Sequence, residues 1–138
     1  MQWTKDQRKI IDARDCNLLV SAAAGSGKTA VLVERIIEMI ADTAHPMDID
    51  ELLVVTFTKA AAAQMKDKIA KALEDMLQKE PENEHYMKQL NYISQANILT
   101  IDSFCYQVVK ENFHVLGIDP TIRIGEPGEI LLLQDEAL

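Results

Sequence analysis

The sequence lacks any hydrophobic run long enough to cross a membrane, since no stretch has the roughly 18 consecutive apolar residues that a spanning helix needs. Its first residues also lack the basic segment and apolar run of a secretory signal peptide. Cysteine is scarce, and Cys16 and Cys105 fit neither a metal-binding nor a redox spacing. These absences predict a cytoplasmic protein with reduced thiols and no membrane association.

The residues that are present suit one compact domain or part of a larger one. The chain has 138 residues, of which 48% are hydrophobic, enough to form a core. Its net charge of −8 counts against a simple nucleic-acid-binding protein, which usually has a basic surface. The charge is uneven, however, and the lysine-rich segment 59–79 could still face a phosphate backbone.

Short apolar runs alternate with helical periodicity along the chain. Three short apolar runs of strand length are predicted strands, at 17–21, 52–57 and 97–101. Helices are predicted over about 5–14, 28–41, 59–78, 85–94 and 102–115 and from 129 onward, with Thr4, Thr58 and Asp102 or Ser103 as N-caps. This alternation predicts an α/β domain with a parallel sheet covered on both faces, which looks unfinished at Leu138.

The strongest local motif is a glycine-containing turn between the first predicted strand and the following helix. Its residues are Ala22, Ala23, Ala24, Gly25, Ser26, Gly27, Lys28 and Thr29. Such a turn can wrap backbone N–H groups around a phosphate, and the helix N-terminus adds further donors. Lys28 would reach the β- and γ-phosphates of a nucleotide, and the Thr29 hydroxyl would bind Mg²⁺.

The motif departs from the usual phosphate loop because Ala22 replaces its first glycine. Gly25 and Gly27 still supply backbone freedom nearer the phosphates. The alternative interpretation is a small-residue turn that happens to precede a lysine. Upstream, the Gln7 amide could recognise the N6 and N7 edge of adenine, although its chemistry alone favours a solvated helix glutamine.

Three segments taken together resemble the start of superfamily 1 helicases of the UvrD type. They are 4–41, 52–69 and 98–113, and their order and spacing are similar. The chain more narrowly resembles the RecB-like family of AddA subunits of AddAB helicase–nucleases, a likeness that extends through 114–125. The resemblance implies a phosphate-loop NTPase with a RecA-like three-layer fold, and residues 1–138 would be the N-terminal part of its first motor domain.

The resemblance also implies ligands and roles. Gln7 would recognise adenine, and the loop at 22–29 would bind ATP with Mg²⁺. A first segment that contacts single-stranded DNA would contain Thr56, Phe57, Thr58, Lys59 and Ala60, and a second would contain Thr100, Ser103 and Phe104. Many relatives have asparagine in place of Lys59 and histidine in place of Asp102. Because an aspartate repels phosphate, we expect Ser103 and backbone groups to make the second contact.

The two aromatic residues of these segments have two interpretations. Phe57 or Phe104 could stack on a base, which contributes about 1–3 kcal/mol per base in such sites. However, Phe57 ends a predicted buried strand, and Phe104 lies one helical turn from Val108. Core packing is therefore the favoured interpretation of both.

The implied function is that of an ATP-dependent DNA helicase and nuclease subunit. It would process single- and double-stranded DNA ends in double-strand break repair and recombination, as a heterodimer with an AddB-like nuclease subunit. Two alternatives are a small phosphate-loop nucleotide kinase and a non-catalytic nucleotide-binding module. The kinase would need a lid with arginines, whereas this chain has only four scattered ones, at 8, 14, 35 and 123.

A catalytic carboxylate at the end of a strand is not found. The segment 131–136 ends in Asp135 and Glu136, but Gln134 separates its apolar run from them. Because this run follows Pro127 and Gly128, a helix is predicted there instead. We therefore expect the chain alone to bind ATP rather than to hydrolyse it.

Overall fold

The structure is a computed structural model that describes residues 2–23 and 25–137. It consists of two compact units, one ending at Ile101 and the other beginning at Asp102. None of the helices in these described ranges has both the length and the apolarity needed to cross a membrane.

The first unit contains four α-helices, a single 3-10 turn and two strands among its described residues. They are α1 (Lys5–Asp12), α2 (Lys28–Ile40), the 3-10 turn (Ile49–Glu51), β1 (Leu53–Thr56), α3 (Lys59–Lys79), α4 (Glu84–Tyr92) and β2 (Asn97–Thr100). The three helices α5 (Ile101–Glu111), α6 (Phe113–Leu116) and α7 (Pro127–Glu136) follow. The predicted bounds of α1, α2 and α3 are confirmed to within two residues.

Side-chain caps explain where the first helices begin. The Thr4 hydroxyl accepts a hydrogen bond from the Gln7 backbone, and the Gln7 side chain accepts one from the Thr4 backbone, which completes a capping box. Thr58 caps α3 through Ala61, as predicted. The predicted cap at Asp102 or Ser103 is wrong, because β2 passes directly into α5 at Ile101.

The two strands form a parallel pair. Leu53 pairs with Asn97, and the register continues to the pair of Thr56 with Thr100. The predicted parallel pairing of these two segments is therefore confirmed. Both strands end at the same edge of the sheet, and the two threonines are neighbours there.

The predicted first strand is not formed. Residues 17–21 have no regular secondary structure, and Leu19 is 97% exposed. The apolar run signals a tendency to be buried, but a strand also requires a neighbour with which to exchange backbone hydrogen bonds. In the described part of the chain, β1 and β2 pair with each other and not with this run.

The core of the first unit lies between α2, α3 and one face of the sheet. Its buried side chains are Val33, Ile36, Ile37, Ile40, Ile49, Ala62, Met65, Ile69, Leu73, Ala96 and Ile98. Burying each of the larger side chains contributes about 1.5–3 kcal/mol. Leu53 and Val55, which point to the other face, are 49% and 44% exposed. The helices of the first unit thus cover one face only, and the expected cover on both faces is not seen among its described residues.

A polar cluster fastens α4 to the 3-10 turn that precedes β1. Gln89 is fully buried, and its Oε1 accepts a hydrogen bond of 2.7 Å from the backbone N–H of Ile49. Its Nε2 donates to the Asp48 carboxylate, which also accepts a hydrogen bond from Lys88. No motif or periodicity in the sequence identifies these residues.

This cluster predicts a dependence of stability on pH. The hydrogen bonds from Lys88 and then from Gln89 hold the pKa of Asp48 below its ordinary value of 3.8. Asp48 therefore stabilises the fold fully above about pH 4, and this contribution is lost as the pH falls through the folded-state pKa. We expect the urea midpoint of the parent to fall more steeply below about pH 4 than that of Asp48→Asn.

The matched control for this prediction is Asp67→Asn, which removes an exposed carboxylate on α3. It should keep the acid sensitivity of the parent. If Asp48→Asn and the parent lost stability in parallel between about pH 6 and pH 2, the account of Asp48 would be wrong.

The second unit is held together by its own polar contacts. The Tyr106 hydroxyl donates to the backbone oxygen of Ile122 at 2.9 Å, and Arg123 makes two hydrogen bonds to Glu129. The segment 131–136 is helical, as predicted, so Asp135 and Glu136 lie on α7 and not at the end of a strand.

Candidate nucleotide and nucleic-acid sites

The glycine-containing turn adopts a backbone that favours glycine at two positions. Gly25 has a φ of 77° and Gly27 a φ of 81°, both in the left-handed region. A residue with a Cβ atom would cost roughly 1–2 kcal/mol at each position, although space is available beside both. Gly27 is also the N-cap of α2, so the turn passes directly into the helix.

The N-terminus of α2 is open to an anion. No side chain caps this helix end, and its first turn contains no acidic residue. The first backbone N–H groups of a helix have no intrahelical partner, and the helix dipole places partial positive charge there. The helix is anchored by its buried side chains Val31, Val33, Ile36, Ile37 and Ile40.

Lys28 extends across the turn. Its Nζ donates hydrogen bonds to the backbone oxygens of Ala22 at 2.8 Å and Ala23 at 2.7 Å. An ammonium group has three donors, so this placement leaves capacity for a phosphate oxygen. Thr29 follows it on the exposed first turn of α2, while Ala24 lies outside the described residues.

Gln7 lies against the same turn, although 19 residues separate it from Ser26. Its Nε2 donates to the backbone oxygen of Ser26 at 3.3 Å, and a Cβ atom on Gly27 would be 3.7 Å from the same nitrogen. The side chain is half-buried rather than solvated. The structure therefore brings together the predicted base-recognising residue and the predicted phosphate loop.

A cavity of about 550 Å³ lies beside the turn, between α1, α2 and residues 20–22. Its polar lining includes Gln7, Lys28 and Arg35, and its apolar lining includes Ile10 and Leu32. A largely apolar cavity with a few polar groups at one side is typical of a site for a small molecule.

The first predicted DNA segment surrounds the carboxyl end of β1. The Thr56 hydroxyl donates to the backbone oxygen of Thr58 at 3.0 Å, and the Thr58 hydroxyl accepts from Ala61 at 3.1 Å. The N–H groups of Lys59 and Ala60 lie in the first turn of α3, where a helix supplies no backbone acceptor. These groups, together with the exposed Lys59 side chain, can contact a phosphate.

The structure changes the interpretation of two side chains in this region. Phe57 is 93% exposed, so the favoured core position is wrong. The strand ends at Thr56, and the turn into α3 directs Phe57 away from the core. Lys66 donates to the backbone oxygen of Ser94 at 3.2 Å, which makes it a weaker candidate for DNA than Lys59.

The second predicted DNA segment is divided between the two units. Thr100 is buried at the end of β2, beside Thr56 in the sheet. Ser103 and Phe104 belong to the second unit, where both are half-buried on α5. The DNA-contacting roles of these three residues stay predictions.

The family model and the individual relatives that match this chain are all helicase proteins. The model of the UvrD/REP helicase N-terminal domain matches residues 3–138. An ATP-dependent helicase/nuclease subunit from Lachnoclostridium phytofermentans is 54% identical over 136 residues, which are 99% of this chain and 10% of that protein. Proteins of the same name from Clostridioides difficile and Clostridium novyi are 53% and 54% identical, and the matches cover 99% and 100% of this chain. The chain spans 11% of the length of each of these two relatives.

Proposed function

The chain belongs to the UvrD/REP helicase N-terminal domain family, and on that basis we propose that it is the ATP-binding segment of an ATP-dependent DNA helicase and nuclease subunit. In this proposal, residues 1–138 are the N-terminal part of a RecA-like first motor domain. The exposed apolar run at 17–21 would then become a strand of the larger sheet, paired with strands from further along the protein.

The observation that carries the proposal is the contact between Gln7 and the glycine-containing turn. ATP binding needs both a phosphate site and a means of recognising the base. Lys28, the N–H groups of α2 and the two left-handed glycines supply the first. Gln7 is held within hydrogen-bonding distance of the same turn, where its amide can recognise adenine.

Mg²⁺ would enter this site with the nucleotide. The described residues contain no cluster of three or more His, Cys, Asp or Glu side chains that could hold a metal ion. Thr29, on the first turn of α2, is the residue that would add a hydroxyl ligand to the phosphate oxygens. We therefore expect Mg²⁺ to bind with ATP and not in its absence.

The contacts of the arginines do not favour the alternative of a small nucleotide kinase. A kinase lid needs arginines that can turn towards the phosphates, but all four arginines have internal partners. Arg8 pairs with Asp12 and Glu38, and Arg123 pairs with Glu129. Arg14 and Arg35 donate to backbone oxygens at the end of α1.

The name shared by the relatives also supports a proposal for the activity of the whole protein. That name describes an ATP-dependent helicase and nuclease with more than one subunit. We propose that this chain likewise acts on DNA ends in double-strand break repair and recombination, in the cytoplasm, as a heterodimer with an AddB-like nuclease subunit.

Titration calorimetry with Mg²⁺–ATP and Mg²⁺–GTP tests the proposed nucleotide site. The parent chain should prefer ATP, and Gln7→Ala should reduce this preference by about tenfold, because it removes a hydrogen-bonded base contact. Gln78→Ala, an exposed substitution on α3, is the control and should leave the preference unchanged. An equal loss of affinity for ATP and GTP in Gln7→Ala would contradict base recognition by Gln7.

Single-stranded DNA should bind weakly and with a shallow dependence on salt. The chain offers two or three phosphate contacts near the start of α3, each contributing about −0.7 to the slope of log K against log salt, and its net charge of −8 opposes binding. Lys59→Ala should lower the magnitude of the slope by about 0.7 in fluorescence anisotropy.

Lys79→Ala, at the other end of α3, is the control for this measurement and should leave the slope unchanged. Tight binding with a steep salt dependence would show that the DNA site has been placed incorrectly. Equal effects of Lys59→Ala and Lys79→Ala would show that the lysines act through general charge alone.

A further inference from the structure

Among the described residues, three side-chain contacts connect α2 to α1 or to Trp3, just before α1. Trp3 donates to Glu34 at 3.3 Å, and Arg8 makes two hydrogen bonds to Glu38, at 2.7 and 3.0 Å. The third contact differs, because the Arg35 guanidinium donates to a backbone oxygen. Its Nη1 lies 2.6 Å from the oxygen of Ile10, in a partly buried position.

Arg35 contacts backbone oxygens at the C-terminal end of α1, a position that favours a positive charge. Ile10 and Ile11 belong to the last turn of this helix, where backbone oxygens have no intrahelical partner and carry partial negative charge. Arg35 Nη1 is 3.4 Å from the second of these oxygens, and Arg14 also donates to it, at 2.6 Å. A cation fixed in this way restrains the helix itself rather than a mobile side chain.

The position of Gln7 follows from the position of this helix. Gln7 lies one turn before Ile10 on α1, and its amide reaches the turn at Ser26. Arg35 projects from α2, the helix that begins at Lys28. It therefore links the base-recognising helix to the phosphate-binding helix, and it lines the same cavity as Gln7 and Lys28.

We propose that Arg35 is a positioning residue for nucleobase recognition: by holding the backbone of α1 through Ile10 and Ile11, it keeps the Gln7 amide where it can distinguish adenine from guanine. This inference rests on the proposed ATP-binding function. Arg35 acts through Gln7, so its loss affects the base contact and leaves the phosphate contacts of Lys28 in place.

Calorimetry with three Mg²⁺ complexes, those of ATP, GTP and tripolyphosphate, tests this role. Arg35→Met keeps an unbranched apolar stem but removes the guanidinium donors. It should reduce the preference for ATP over GTP by about tenfold, as in Gln7→Ala, and leave the affinity for tripolyphosphate within about twofold of the parent. The double variant should lose no more of the preference than either single variant, since the two residues act in series.

Arg8→Met is the matched control. It removes an exposed ion pair between the same two helices, and such pairs contribute little. It should leave the preference for ATP over GTP unchanged. If Arg35→Met does not fold by circular dichroism, Arg35→Lys replaces it, and a single ammonium that cannot span both oxygens should lower the preference by about threefold.

The outcomes separate the possible roles of Arg35. An unchanged preference for ATP over GTP in a folded Arg35 variant would overturn the proposal and leave a purely structural role. Equal losses for ATP, GTP and tripolyphosphate would overturn it in favour of a direct phosphate contact. Absence of ATP and tripolyphosphate binding in the parent chain would instead contradict the proposed function itself.

Discussion

Lys28→Ala is expected to lower the affinity of the chain for Mg²⁺–ATP by about a hundredfold or more. The ammonium group lies across the glycine-containing turn, 2.7 Å from the backbone oxygen of Ala23, and it is the charged side chain placed over the turn. Hydrogen bonds to charged groups contribute about 1.5–3 kcal/mol each, and losing such a bond together with the attraction between the ammonium and the phosphate charges accounts for this loss.

Lys5→Ala provides the control for the loss of charge. Lys5 is exposed at the start of α1, and among the described residues no hydrogen bond or ion pair joins it to the turn. Calorimetry should give an affinity for Lys5→Ala within about twofold of the parent, since screening weakens a distant surface charge. Unchanged ATP affinity in Lys28→Ala would mean that nucleotide binds elsewhere or not at all.

Gln89→Leu is expected to destabilise the first unit by about 2–4 kcal/mol, the largest effect on stability predicted for a single polar side chain here. The substitution leaves the buried N–H of Ile49 without its acceptor and removes one of the donors to Asp48. Each buried polar group that loses its partner costs about 1–3 kcal/mol.

Urea denaturation followed by circular dichroism measures this effect. Gln78→Leu makes the same chemical change at an exposed position on α3 and should shift the midpoint little, by about 0.5 kcal/mol or less. A loss below about 0.5 kcal/mol in Gln89→Leu would contradict the account of the buried cluster. The cluster also supports the start of the predicted DNA segment, because the 3-10 turn leads into β1, which ends at Thr56.

The features that the sequence predicts well depend on residues close together in the chain. The Thr4 and Thr58 caps act within three residues of themselves, and the periodicity of α2 depends on neighbouring turns of one helix. The glycine-containing turn is also local, since its left-handed backbone is set by Gly25 and Gly27. These features need no knowledge of the rest of the fold.

Contacts between distant segments explain what the sequence does not predict. The apolar run at 17–21 has the composition of a strand, but strand formation depends on a partner that composition does not specify. Phe57 follows an apolar strand, yet the turn after Thr56 leaves it exposed. The partners of Gln89 lie 40 and 41 residues away, so no periodicity identifies them.

The role of Gln7 is predicted only in part from the sequence. Its chemistry alone favours a solvated position, and only the family resemblance predicts a base contact. The structure adds a hydrogen bond to Ser26 that no local pattern predicts. Arg35 has no motif of its own, and its contact with the end of α1, 25 residues away, is visible only in the folded chain.

The most direct test of the central claim is a two-dimensional ¹H–¹⁵N spectrum of the chain titrated with Mg²⁺–ATP. The largest shifts are expected at the backbone amides of Gly25, Gly27, Lys28 and Thr29, together with the side-chain amide of Gln7. Mg²⁺–tripolyphosphate should reproduce the shifts of the turn but not those of Gln7. Shifts confined to other surfaces, such as the start of α3 or the exposed leucines of α7, would contradict the assignment of the nucleotide site.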